Sequence, residues 1–181
     1  MEKELELRKY IFVPYNISDI QKGIQAGHAS DIYGQLFKDD DENILFVDNH
    51  KTWIVLDGGT TCDGDTEEER GTMNNILESL ETSTLGIKFT SFREHDLNRA
   101  LTAICFIVDE RVFDYDLYPD FKEYFLNEKS VYGRYSRPRD SKLPYETLKR
   151  NFPKTFDKWT ETLGGKKNVF FRELLKGKKL A

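Results

Sequence analysis

An apolar, β-branched run, Tyr10-Ile11-Phe12-Val13, lies within residues 5–13 and predicts a first strand. Pro14 stops it, because proline has no N–H to give to a ladder. Ser18 and Asp19 follow with side-chain oxygens suited to the orphan N–H groups of a helix's first turn, so residues 17–35 predict a helix reaching about Phe37. Along it Ile20, Ile24, Ala26, Ala29 and Ile32 recur at three-to-four-residue spacing, while Lys22, Gln25 and His28 step by three. A polar ladder runs beside a packing face. Gly23 and Gly27 each cost about 1 kcal/mol of helix propensity relative to alanine. Together with Ala26 and Ala29 they suggest close approach of a strand or a ligand.

An acidic loop spans residues 38–42. The apolar run 44–47 is too short for periodicity to separate a strand from a continued packing face. Residues 52–56 predict a second strand closed by Asp57-Gly58-Gly59, and the polar stretch 60–69 leads into an amphipathic helix over 68–82 carrying Met73, Ile76, Leu77 and Leu80. Residues 87–92 alternate with period two, a charged turn occupies 93–99, and 100–108 form an apolar strand. Strand, helix, strand, helix, strand, turn, strand is the order of a layered α/β domain, here residues 1–109. Beyond it, residues 110–181 interleave aromatic and basic side chains without a comparable strand signal. Short helices over 120–127, 145–151, 153–163 and 169–175 predict an appended helical subdomain.

Composition adds three constraints. A chain of 181 residues with 38% hydrophobic content can bury a core. Cys62 and Cys105 form no CxxC pair, no apolar stretch approaches the length of a membrane span, and the charged amino end is unlike a signal peptide. A reducing, cytoplasmic setting without a membrane partner is expected. Charge is divided sharply: residues 1–127 hold 12 Lys+Arg against 26 Asp+Glu, and residues 128–181 hold 15 against 6. That basic end suits an anionic partner such as RNA, or an intramolecular or dimeric match with the acidic body.

No nucleophile elbow, Walker loop, dinucleotide fingerprint or zinc spacing is present, and the acidic stretch 60–69 lacks the spacing of a calcium loop. Cys105 reads as an inert core thiol. Two polar groups are left: the ladder Lys22, Gln25, His28, and the turn Arg93, Glu94, His95, Asp96, Asn98 followed by Thr102. Were the first and last strands neighbours, these groups would meet at one edge and could position a water for ester or amide hydrolysis. The plainer reading makes His28 a hydrogen-bonded helix residue and Glu94, Asp96 and Arg99 surface ion-pair partners.

The segments KYIFVPYNISDIQKGIQAGHAS and SFREHDLNRALTAICFIV, in this order, resemble the peptidyl-tRNA hydrolase type of archaea and eukaryotes, with its divergent phage relatives, over about residues 8–109. The resemblance implies an α/β/α sandwich with a small mixed sheet, often dimeric, needing no metal or other cofactor, that hydrolyses the ester of peptidyl-tRNA. It places the family's glutamine on Gln25, its histidine on His28, its threonine on Thr102, and its acidic residue on Asp96 or Glu94. The family's lysine position falls on Gln21, with Lys22 one residue on, a step that turns a helical side chain by about 100°. In this reading Lys22 orients the substrate, Asp96 or Glu94 positions water, Thr102 holds it and His28 shapes the site. Arg134, Arg137, Arg139, Lys149, Arg150, Lys166 and Lys167 are then candidates for phosphates, with exposed Tyr or Trp stacking on bases. A second reading keeps the fold as a non-catalytic scaffold that binds RNA or a host protein. A third, a nucleotide-binding module, rests on the glycine-containing strand-to-helix junction.

Overall fold

The computed structural model describes residues 4–131 and 143–181. The chain forms two compact units, residues 1–110 with 174–181, and residues 111–173.

The first unit contains β1 (Leu7–Val13), α1 (Asp19–Leu36), α2 (Asp41–Leu45), β2 (Thr52–Asp57), α3 (Thr72–Glu81), β3 (Phe89–Glu94) and β4 (Ala100–Asp109). The strands form a mixed sheet in the order β2-β1-β4-β3, with β1 parallel to β2 and antiparallel to β4, and β4 antiparallel to β3. Strand alternation sends Leu7, Ile11 and Val13, with Ala103, Cys105 and Ile107, to one face, where they pack on Ala26, Ala29 and Tyr33 of α1. Phe12 points the other way and meets Phe106, ring centroids 6.0 Å apart. There Met73 of α3 closes on Gly58 so tightly that a Cβ at Gly58 would lie 2.7 Å from Met73 Cγ and 3.2 Å from Phe12 Cβ. Helices thus cover both faces, and the expected α/β layering is observed.

Residues 44–47 turn out to be helical rather than a strand. α2 runs into a π-helical turn, Phe46–His50, that buries Phe46 in the core beneath α1 and ends at Lys51 in the left-handed region, φ 58°. The terminal residues depart from the expected division at residue 109: 174–181 return to the first unit. The Asp57 N–H donates to Lys179 O at 2.9 Å and the Ala181 N–H to Val55 O at 3.1 Å, so they cover the outer edge of β2.

The second unit is built from α4 (Glu110–Phe113), α5 (Phe121–Val131), α6 (Tyr145–Asn151), α7 (Pro153–Thr162) and α8 (Lys166–Leu175), whose first and last helices carry the chain into and out of it. Phe121, Phe125, Leu148, Trp159, Leu163 and Val169 form its core, and the Trp159 indole donates to Pro119 O at 2.9 Å. Among the described residues no helix is long and apolar enough to cross a membrane.

Candidate functional site

Ser18 caps α1 through the N–H of Gln21, and the Gln21 side chain returns the bond to the Ser18 N–H. This capping box holds Gln21 on the exposed side of the helix and leaves the next residue to turn inward. Lys22 lies three residues before buried Gln25, its side chain is 16% exposed, and its ammonium pairs with Asp19 at 3.4 Å. The one-residue step therefore moves a lysine onto the inner stripe of the helix. Gly23 and Gly27 do not serve close packing among the described residues, where a Cβ on either would meet no atom within 4 Å. The strand approach expected from their small size falls to Ala26 and Ala29, both fully buried.

Thr102 reaches this helix through an irregularity in the sheet. Phe92 pairs with Ala103 but Arg93 pairs with Leu101, which leaves Thr102 as an extra residue in β4. In a regular strand Thr102 would face away from Ala103. The bulge instead turns both toward α1. There the Thr102 hydroxyl, 1% exposed, donates to Gln25 Oε1 at 2.7 Å, and Gln25 Nε2 donates to Glu94 Oε2 at 2.8 Å. A second bolt joins the layers nearby, from Thr90 Oγ1 to Ala29 O at 2.9 Å.

The resulting chain runs from a buried hydroxyl through a buried amide to a partly exposed carboxylate. The Gln25 hydrogen bond holds the Glu94 carboxyl below the usual carboxylate value, with help from the N–H groups of Asp96 and His95 and from the charge of His28, against the opposing effect of burial. Glu94 is ionised at neutral pH. His28 lies against the Phe92 ring, centroids 4.6 Å apart, and is exposed.

Of the two candidate acids the structure brings Glu94 to Gln25 and Thr102. The Asp96 side chain is 95% exposed in a 3-10 turn, 3.8 Å from His95, and contributes to the group through its backbone N–H. The deeply buried Thr102 hydroxyl, bonded to Gln25 Oε1, fixes the orientation of that amide. Phe92, which supports His28 and whose carbonyl lies 3.4 Å from the Thr102 hydroxyl, was not among the expected residues. Its only trace in the sequence is the period-two alternation of residues 87–92.

Cys105 is fully buried, and burial pushes its thiol up to about 12, as suits an inert core residue. Among the described residues no group of three or more His, Cys, Asp or Glu is arranged to hold a metal ion.

In the second unit, Lys149 lies 4.8 Å from the Phe156 ring centroid and lines a cleft of about 540 Å³ with Lys166. Asp157 and Glu161 share that cleft and offset its charge. Arg150 is exposed and Lys167 half-buried, whereas Arg134, Arg137 and Arg139 lie outside the described residues. Trp159, 2% exposed, is a core residue and not a platform for bases; Tyr145 is half-buried and donates its hydroxyl to Glu173 at 2.9 Å. No protein-family model matches the chain, and no curated protein matches it.

Proposed function

We propose that the first unit is a peptidyl-tRNA-hydrolase-like esterase in which Glu94 positions the attacking water. The hydrogen-bonded chain Thr102–Gln25–Glu94 is the observation that supports this reading. A carboxylate held by three donors is a weak base but a well-aimed acceptor, so its task is to orient water and take up its proton as the ester carbon is attacked. Gln25 fixes the carboxylate and Thr102 fixes Gln25 in the amide orientation that donates toward Glu94. His28, exposed beside them, is placed to meet the substrate. Lys22, already paired with Asp19, swings to the substrate's phosphate or carbonyl oxygen when that anion displaces the aspartate. The cations of residues 128–181 supply the phosphate contacts, so substrate affinity falls as salt rises.

Turnover of an N-blocked aminoacyl-tRNA by the purified protein tests the reading. Glu94→Gln, which keeps the shape and removes the base, is expected to lower kcat by roughly 100-fold or more with little change in KM. Wild-type protein without turnover, or Glu94→Gln with full turnover, overturns it. The internal satisfaction of Lys22 by Asp19 favours a second reading, a scaffold that binds tRNA without cleaving it. Salt-sensitive tRNA retention by an inactive wild-type protein is its signature.

A further inference from the structure

A single lysine stands within the apolar face of β1. Lys9 is 3% exposed, more deeply buried than Lys22, and lies on the side of the sheet covered by α1. Its ammonium donates to Ser30 Oγ at 3.1 Å and sits 4.7 Å from the Phe46 ring centroid and 5.2 Å from that of Tyr33. An ammonium has three N–H donors, and the two rings offer only their faces. Burial lowers the pKa of Lys9, a cost that a bound anion would reverse.

This lysine lines a cleft of about 760 Å³ between α1, the π-helical turn and β2, well separated in sequence from Glu94 and Thr102. The volume lies inside the roughly 300–1,000 Å³ of small-molecule sites. Lys9 and Trp53 are register partners across β1 and β2, so both side chains emerge on the face toward α1. The Trp53 indole, 45% exposed, forms one wall, and Phe46 and Val47 form another. Lys38 and Lys51 add two exposed cations, and Asp31 is the one carboxylate lining the cleft. Lys51 sits in a left-handed backbone conformation that costs a residue with a Cβ, at the end of a π-helical turn of the kind often found at functional sites.

We propose that this cleft binds a planar organic anion of nucleoside monophosphate size, with the ring against Trp53 and the phosphate toward Lys9 and Lys51. Lys9 and Lys51, with Lys38 shared with Asp39 at 3.8 Å, outweigh the single Asp31 carboxylate and suit an anion, the indole offers a face to a flat ring, and the open cleft has room for a nucleotide. The site shares no residue with the Thr102–Gln25–Glu94 group, so it stands or falls separately from the esterase reading.

Isothermal titration with adenosine 5′-monophosphate, adenosine and inorganic phosphate tests it on the full chain. Saturable binding of the nucleotide is expected, with adenosine and phosphate each at least about tenfold weaker. Lys9→Met is expected to lose about tenfold in affinity, and Trp53→Ala a similar amount. Should Lys9→Met fail to fold, Lys51→Asn serves, because asparagine tolerates the left-handed backbone and the side chain is on the surface. Glu94→Gln should bind as tightly as the wild type. Absence of saturable nucleotide binding, equal affinity for adenosine or phosphate alone, or unchanged binding by Lys51→Asn overturns the proposal.

Discussion

Thr102 and Asp40 show how much can depend on one polar atom. Thr102→Val keeps the shape of the side chain but leaves Gln25 Oε1 without its donor in a site 7% exposed. An unsatisfied buried acceptor costs about 1–3 kcal/mol. Urea unfolding should register that loss, and kcat should fall alongside because Glu94 is no longer fixed through Gln25. Asp40 pairs with Lys88 and accepts from the Asn43 N–H at the start of α2, and the Lys88 bond holds its carboxyl below the ordinary value of 3.8. A depressed carboxylate stabilises the fold above its unfolded pKa and ceases to do so as pH falls through the folded one. Asp40→Asn should therefore cost about 1 kcal/mol at pH 7, with the difference from wild type fading below about pH 4 in pH-dependent thermal melts. The residue types in this region were visible in the sequence. Which acid meets Gln25 was not, because Glu94 and Asp96 share one charged turn and only the pairing of β3 with β4 separates their side chains.

At the scale of elements, α1 illustrates the difference between a stripe and its use. Its apolar and polar steps, its cap and its length followed from local chemistry: Ser18 begins it and Phe37 ends it, as the spacing implied. The reason for its glycines did not. With open space at Gly23, Gly23→Ala is expected to stabilise the protein by about 0.5–1 kcal/mol in chemical denaturation. If a substrate approaches the helix at that point, the same variant raises KM while gaining stability, so the two readouts separate packing from binding. The bulge in β4 belongs to the same scale. No glycine or proline marks Ala100-Leu101-Thr102-Ala103, and an unmarked extra residue becomes visible only when two strands are laid side by side.

For the whole molecule, the closing of the first unit by residues 174–181 leads to a prediction about the chain's end. Removing those residues takes away the Asp57–Lys179 and Ala181–Val55 bonds and bares the edge of β2. A loss of about 1–3 kcal/mol is expected for the two bonds. Light scattering should show association through the freed edge, and an unchanged melt with no association would contradict the edge-covering role. The sequence alone determined the α/β alternation, the start of α1 and the aromatic character of the second unit, since each follows from periodicity, capping or composition over neighbouring residues. Tertiary structure alone decided that Thr102 turns toward Gln25, that Lys9 shares a cleft with Trp53, and that the last residues return to β2. Those are contacts between residues 44 to 126 positions apart, set by strand pairing and by the helix packed on the sheet, and no local pattern carries register across such distances.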